Sequence, residues 1–232
     1  MTRSERSVWA VDVLSAVVSF SRITDADPQP RIGRVLVRPE GKDHTPLSQW
    51  QRASAAADEV MHKLTGNGKP ALVVMAKQQW GSSGAGGKGT SDPTAARRLA
   101  LHALIEDRLH KQGVPVAEFP YPTCLVWLCG HQHKGSTMSS LAKAVQDTFG
   151  VTAPRETLAD GTDRAVAFRP QVGALAAVGA MAAGIRTAVP VTDERLKIVR
   201  GEGNLAVQLP AGLYIPASAE EWERRASRHV SV

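Results

Sequence analysis

The segment ALVVMAKQQWG, residues 71–81, carries the pattern on which the fold prediction depends. It begins with the continuous apolar run ALVVMA, which is typical of a strand buried on both faces of a sheet. A glycine- and serine-rich stretch, residues 81–91, follows and is flexible by composition. A strand that ends at such a loop often delivers an acid to an active site. Here the strand ends in Ala76, Lys77 and Gln78, so the acid is missing.

Four further strands are predicted around this segment. Residues 7–23 are rich in Val, Ser and Ile and predict two strands joined by a tight turn near Leu14–Ser15, and the alternation in residues 31–39 predicts a third. Residues 114–119 predict a short strand after the glycine-rich stretch. The first three strands are close enough in sequence for an antiparallel meander. The later strands are separated by helices and should therefore be parallel.

Helices are predicted over residues 46–64, 92–113, 136–150 and 169–184 from the spacing of apolar or small residues. Asp92 and Pro93 are predicted to begin the second helix, and Ser136 to cap the third. The tail beyond Ala188 is predicted to form an extra hairpin or an arm. The order of elements predicts an α/β, ribonuclease H-like domain over residues 1–187. It has a mixed five-stranded sheet, helices on both faces, and a C-terminal extension over residues 188–232.

The overall composition limits the kinds of protein to which this chain can belong. The formal net charge is +6 and the pI is about 9.6, a balance compatible with a nucleic-acid partner. The two cysteines do not indicate a disulfide scaffold, and the first residues lack the apolar core of a signal peptide. The longest apolar stretch, residues 172–185, is too short to span a bilayer. A cytoplasmic protein of a bacterium or its phage, without a membrane partner, is expected.

Four segments together resemble the RuvC-like Holliday-junction resolvases, especially divergent actinobacterial and phage members. They are VWAVDVL, ALVVMAKQQWG, GVPVAEFPYPTCLVWLCGHQHKG and QVGALAAVGAMAAG, which resemble the family's first strand, fourth strand, fifth strand with its following loop, and last helix. The likeness covers roughly residues 7–185. The order and spacing of the segments carry it, since no single motif is specific.

The resemblance implies a site that has lost most of its acids. The family uses about four carboxylates around two divalent metal ions, which stabilise the attacking water and the leaving oxygen of a phosphodiester. Asp12 matches the first acid, but the fourth-strand Glu falls on Ala76 or Lys77, and the helix acids fall near Pro170 and Gly173. No metal or other cofactor is therefore expected. Lys77 is predicted to pair with Asp12 as a buried salt bridge.

A set of basic and polar residues is predicted to contact nucleic acid. Phosphate contacts of this kind give affinity that is independent of sequence and strongly dependent on salt. Lys134 matches the family's loop lysine, and Arg97 and Arg98 lie at the start of the predicted second helix. The predicted set is Lys77, Gln78, Lys88, Arg97, Arg98, His131, His133 and Lys134.

Three functions remain open from the sequence. The first is a catalytically degenerate subunit that binds branched or duplex DNA, or assembles with a homodimeric or heteromeric partner, in phage or mobile-element DNA processing. The second is an active, Mg²⁺-dependent, structure-specific endonuclease, that is, a Holliday-junction resolvase. It would use Asp12 with displaced ligands from Asp25, Asp27, Asp160 or Asp163. The third is a partner-binding scaffold without a nucleic-acid role.

Two smaller patterns also have competing interpretations. Cys124, Cys129, His131 and His133 form C-x4-C-x-H-x-H, but this is not a usual zinc spacing, and both cysteines lie in an apolar run. A zinc site is therefore disfavoured. On the second helix an apolar stripe is predicted either to form a dimer contact or to belong to the core. The stripe consists of Ala100, Leu101, Ala103 and Leu104.

Overall fold

The computed structural model describes residues 5–37, 45–77, 94–130, 136–157, 161–203 and 206–230. The main sheet has the order β3-β2-β1-β4-β5, with β1 antiparallel to β2 and parallel to β4. β3 is antiparallel to β2, and β5 is parallel to β4. This is the ribonuclease H-like α/β arrangement, so the predicted fold class is confirmed. The strands are β1 Ser7–Val13, β2 Val17–Thr24, β3 Arg31–Leu36, β4 Leu72–Ala76 and β5 Val116–Phe119.

The central position of β1 follows from its side chains. All seven of its residues are buried, and strand geometry sends them alternately to the two faces of the sheet. Val8 and Ala10 enter one hydrophobic cluster, whereas Trp9 and Val11 enter the other. The turn into β2 is tight, because the Leu14 backbone N–H donates to the Val17 carbonyl at 2.9 Å. A strand with two apolar faces has to lie inside the sheet.

One face of the sheet is covered by α1 Pro46–Thr65 and α2 Ala95–Lys111. The Thr45 hydroxyl caps α1 by accepting from the Ser48 backbone N–H at 3.2 Å. The predicted start of α2 at Asp92 and Pro93 lies outside the described residues. Of the predicted apolar stripe on α2, Leu101 is buried and Leu104 packs partly against the same cluster. These two leucines therefore belong to the core.

The other face is covered by α3 Tyr121–Cys129, α4 Thr137–Phe149 and α5 Val172–Ala182. As predicted, Ser136 caps α4, because its Oγ accepts from the Ser139 backbone N–H at 3.4 Å. Every residue of α5 is buried. A Cβ at Gly179 would lie 2.4 Å from Val74 Cγ2 and 2.9 Å from Val8 Cγ1. The small residues of α5 therefore let the helix approach β1 and β4 closely.

The tail contains two helices, α6 Asp193–Val199 and α7 Ala219–Val230, where the sequence predicted a hairpin or an arm. Between them, Gln208 pairs with the sheet through an antiparallel bridge to Glu118. Trp222 of α7 is buried, and its indole N–H donates to the Met181 carbonyl at 2.7 Å. The tail therefore packs against the end of α5. The hairpin prediction was wrong because the apolar residues of this tail cover a helix instead of alternating along paired strands.

A small antiparallel sheet, β6 Arg155–Thr157 with β7 Asp163–Ala165, was not predicted from the sequence. An ion pair links it to the main sheet, because Arg34 Nη2 of β3 lies 3.5 Å from a carboxylate oxygen of Glu156.

Among the helices that the structure describes, none combines the length and the apolar character that crossing a membrane requires.

Candidate functional site

Asp12 lies near the carboxyl end of β1, and its side chain points to the α3 and α5 side of the sheet. Its side chain is 0% exposed. Asp12 Oδ2 accepts a hydrogen bond from the Tyr121 hydroxyl at 2.7 Å and one from Arg169 Nη1 at 3.1 Å. The carboxylate is therefore buried against a permanently charged guanidinium and a phenol.

Arg169 is held at this position by the chain just before α5. Its backbone N–H donates to Ser19 Oγ at 3.1 Å, and Ser19 is the direct partner of Asp12 in the β1–β2 register. The same strand pair thus orients both the carboxylate and the residue that neutralises it. The Arg169 side chain is 33% exposed, so the guanidinium lies between Asp12 and solvent.

Tyr121 is the first residue of α3, directly after β5, and it is buried. Burial raises its pKa well above the ordinary value, and the negative charge of Asp12 and their hydrogen bond raise it further. The phenol is therefore neutral near pH 7 and acts as a hydrogen-bond donor. Neither Tyr121 nor Arg169 was recognised from the sequence. The only available signal was position, since Tyr121 follows the predicted strand of residues 114–119 and Arg169 begins the predicted helix of residues 169–184.

The raised pKa of Tyr121 predicts a loss of stability in alkali. A group whose pKa is higher in the folded protein stabilises the fold fully below its unfolded pKa, which is about 10 for tyrosine. That contribution is lost as the pH rises through the folded value. We expect the free energy of unfolding to fall between about pH 10 and pH 11, and to fall less in Tyr121→Phe. Urea denaturation at each pH measures this change.

Tyr214 provides the control for this titration, because it is the second of the two tyrosines and is largely exposed. The pKa of Tyr214 is raised too, chiefly by its hydrogen bond to Glu221, so Tyr214→Phe should also reduce the alkaline loss of stability, but by less than Tyr121→Phe does. An equal change of slope in both variants would contradict the role assigned to burial at Tyr121.

The positions that the resemblance assigns to the other acids carry no carboxylate. Ala76 lies one residue beyond the Val11–Met75 pair, next to Asp12 and in the same cluster as the α3 and α5 side chains. A Cβ at Gly173 would lie 3.3 Å from Val145 Cγ1, among apolar atoms. Within the described ranges, no three His, Cys, Asp or Glu side chains are grouped so that they could hold a metal ion.

The predicted pairing of Lys77 with Asp12 is wrong, because Arg169 takes that place. Lys77 joins a different chain of polar groups at the β4–β5 end of the sheet. With the Gln208 amide oriented to satisfy its neighbours, its oxygen accepts from Lys77 Nζ at 3.3 Å and its nitrogen donates to a Glu118 carboxylate oxygen at 2.8 Å. The sequence missed this chain because Gln208 comes from the tail.

The proposed displaced ligands do not gather at Asp12 among the described side chains. Asp25 and Asp27 follow β2, at the end of the sheet where β1 begins. Asp12 is five residues further along β1, which corresponds to roughly 16 Å at the rise of a strand. Asp25 pairs with Arg6 at 2.9 Å, and Asp27 pairs with Arg31 at 2.6 Å.

The remaining two candidates, Asp160 and the side chain of Asp163, lie outside the part of the structure that is described.

The hydrogen bond from Arg31 lowers the pKa of Asp27, together with a bond from the Gln29 backbone N–H. Asp27 is therefore ionised near neutral pH and already satisfied by local donors.

The predicted nucleic-acid residues fall into three groups, the first of which is Lys77 alone, in the polar chain with Gln208 and Glu118 described above. Gln78, Lys88, His131, His133 and Lys134 lie outside the described residues. Arg97 and Arg98 lie on the first turn of α2, which covers the face of the sheet opposite to the Asp12 side chain. Arg97 is exposed and Arg98 is half-buried. The structure therefore separates these two arginines from Asp12.

The two cysteines of the zinc alternative lie on α3, five residues apart. At 3.6 residues per turn, this spacing directs the two side chains about 140° apart around the helix. Burial raises the pKa of the Cys124 thiol strongly, and burial also raises the pKa of Cys129. Both groups are thus neutral thiols near pH 7, whereas zinc binds thiolates. The geometry of α3 gives the zinc alternative no support.

We expect iodoacetamide at pH 8 to modify Cys129 slowly and Cys124 only after unfolding. Cys124 is completely buried and its pKa is raised, so it is neither accessible nor ionised in the folded protein. Mass spectrometry after a timed reaction measures both sites. A sample in urea provides full labelling as the reference. Rapid labelling of Cys124 without urea would show that α3 opens readily.

Comparison with known proteins gives a low-identity structural likeness. RuvC from Thermus thermophilus is similar with a TM-score of 0.46 and 17% identity, over 73% of this chain and 92% of that chain. The T. thermophilus RuvC structure in complex with a Holliday junction substrate is similar with a TM-score of 0.47 and 16% identity, over the same shares. A glucokinase from Parabacteroides distasonis gives a TM-score of 0.35 and 14% identity, over 66% of this chain and 40% of that chain.

No protein-family model matches the chain, and no curated protein sequence is similar to it. These three structural likenesses have TM-scores below 0.5 and identities of 17% or less, so they carry no argument about activity. The fold assignment rests on the strand order and on the two helical layers described above.

Proposed function

We propose that this chain is a RuvC-like, ribonuclease H-fold protein that binds DNA or assembles with a DNA-processing partner without cleaving phosphodiesters. The observation that carries the proposal is the pairing of the buried Asp12 with Arg169 at 3.1 Å. Asp12 is the position that the resemblance assigns to a metal ligand. Here its carboxylate is already neutralised by a side chain of the protein itself.

The charges around Asp12 disfavour metal-dependent hydrolysis. Paired metal ions need several carboxylate oxygens, because each hard cation takes most of its ligands from oxygen. Asp12 has Ala76 as its neighbour on β4, and alanine supplies no ligand. The Arg169 guanidinium stays charged at every accessible pH and repels a cation from the same carboxylate. A metal pair would therefore have to displace Arg169 and find its other ligands elsewhere.

The positive charge of the chain favours DNA as its partner. The chain carries a formal net charge of +6, and Arg97 lies on the first turn of α2 with an exposed side chain. Such charges favour contact with phosphates, and binding should weaken steeply as salt increases. A four-way DNA junction is the appropriate first probe, because the quoted sequence segments resemble RuvC-like resolvases.

The test is binding and cleavage of a labelled four-way junction, followed on native and denaturing gels. We expect binding at 50 mM salt that weakens strongly at 200 mM salt. We expect no cleavage with Mg²⁺ or Mn²⁺. Arg97→Ala should weaken binding, and Arg186→Ala is the matched control, because Arg186 is an exposed arginine that is already paired with Glu223.

The outcomes separate the three functions. Cleavage that disappears in Asp12→Asn would overturn the proposal and establish the Mg²⁺-dependent endonuclease. Absence of binding to junction and duplex DNA at 50 mM salt would also overturn DNA binding and favour a scaffold for a protein partner. Binding without cleavage, with Asp12→Asn binding as well as wild type, supports the proposal.

A further inference from the structure

A groove of about 490 Å³ lies between the first turns of α1 and α2, beside the turn that joins β1 to β2. Its size falls within the range of sites that bind small molecules or parts of larger ligands. It lies on the α1 and α2 face of the sheet, whereas Asp12 faces the other layer. The groove is thus distinct from the family site. Six of its lining residues are Ser15, Gln49, Trp50, Arg52, Arg97 and Leu101.

Trp50 is the unusual residue of this groove. It is 54% exposed, although an indole is one of the largest apolar groups that a protein can bury. The other tryptophans that the structure describes, Trp9, Trp127 and Trp222, are all buried. Trp50 therefore offers a flat aromatic face that the core of this protein does not use.

The polar groups in the groove indicate the chemistry of the ligand. Two arginines, Arg52 and Arg97, line it together with the hydroxyl of Ser15 and the amide of Gln49. None of the described lining residues is acidic. Arg52 bonds to Ser48 on its own helix, whereas Arg97 forms no ion pair with a carboxylate of the described residues. The groove therefore complements a ligand that combines a flat apolar surface with negative charge.

We propose that the groove between α1 and α2 binds a single strand of nucleic acid, with one base stacked on Trp50 and an adjacent phosphate at Arg97. Bases stack on exposed aromatic side chains whatever their sequence, and arginines hold the backbone phosphates beside them. This inference rests on the proposed DNA-binding function and adds a single-strand subsite to it. Fraying of the base pairs at a branch point or at a strand end supplies the unpaired nucleotides that such a subsite would accept.

The test compares two labelled strands of 15 nucleotides, oligo(dT) and an abasic strand with the same backbone, by fluorescence anisotropy. We expect Trp50→Ala to weaken oligo(dT) binding about 5- to 150-fold, the equivalent of one lost stacking contact, and to leave the abasic strand nearly unaffected. Arg97→Ala should weaken both strands to the same extent and reduce the salt dependence of both, because it removes one phosphate contact.

Tyr214→Ala is the matched control for Trp50→Ala, because Tyr214 is also 54% exposed and lies in the tail. The tyrosine variant should bind both strands like the wild type. The inference is overturned if the wild-type protein binds oligo(dT) no more tightly than the abasic strand, or if Trp50→Ala and Tyr214→Ala behave alike. Binding that is independent of the base and is removed by polyglutamate would also overturn it, and would indicate an acidic protein partner.

The four-way junction is titrated in parallel, so that the two proposals fail in different ways. If the junction is bound but oligo(dT) and the abasic strand are bound equally tightly, only the groove inference fails. If neither strand nor junction is bound at 50 mM salt, DNA binding itself fails and the groove inference fails with it.

Discussion

Replacing Trp222 by alanine is expected to lower the free energy of unfolding by about 3–5 kcal/mol. Trp222 lies in α7, far along the tail, yet its side chain is 1% exposed. Its indole N–H donates to the Met181 carbonyl at 2.7 Å, near the end of α5. The substitution would therefore leave a large cavity beside α5 and remove a buried hydrogen bond.

The measurement is urea denaturation followed by far-ultraviolet circular dichroism, because the substitution itself changes the tryptophan fluorescence. Trp50→Ala is the matched control, since the same residue type is removed from an exposed position. Its effect should stay within about 0.5 kcal/mol, as for most surface substitutions. A loss below about 1 kcal/mol in Trp222→Ala would show that the tail contributes little to the core, contrary to the packing described above.

Replacing Arg169 by methionine is the second change with a large expected effect, again about 3–5 kcal/mol of destabilisation. It leaves the carboxylate of Asp12 buried, with Tyr121 as a donor but without the guanidinium that neutralises it. Asp12→Asn should cost less, about 1–3 kcal/mol. The two costs differ because the Arg169 side chain, which Asp12→Asn leaves without its negative partner, is 33% exposed and can turn to solvent. The Asp12 carboxylate, which Arg169→Met leaves behind, is 0% exposed and cannot.

The double variant Asp12→Asn with Arg169→Met tests the pairing itself. It should be more stable than Arg169→Met alone, because the buried charge of Asp12 has been removed along with the guanidinium that neutralised it. Urea denaturation of the four proteins gives the coupling free energy. Stabilisation by Asp12→Asn alone would contradict a structural role, since that sign is typical of an active site whose acids repel one another when no metal is bound.

The sheet is the part of the fold that local pattern predicted well. The continuous apolar run at β4 and the short spacing of β1, β2 and β3 were sufficient to predict a mixed sheet with an antiparallel meander followed by parallel strands, because burial on two faces and tight turns leave local traces in sequence. The small residues of α5 likewise predicted close packing. The tail was not predicted, because its apolar residues are arranged for contact with α5 and not as alternating strands.

The site was predicted only in part. The sequence placed Asp12 and identified Ala76 as a position without an acid. It assigned the cation to Lys77, which stands next to Ala76 in the chain. The structure instead brings Arg169 to Asp12 across 157 positions of sequence. A residue next to Ala76 in the chain can be proposed as a partner from the sequence alone. A partner 157 positions away can be identified only once the packing of α5 against the sheet is known.

The sequence by itself determined that this protein forms a mixed α/β sheet and that the segment ALVVMAKQQWG ends without a carboxylate. Both follow from residue type and periodicity, which need no knowledge of distant contacts. Only the tertiary structure decided that Arg169 and Tyr121 neutralise and bury Asp12, and that Trp50 and Arg97 line one groove on the opposite face. These arrangements depend on packing between elements that are far apart in the chain, and packing is set by the whole fold.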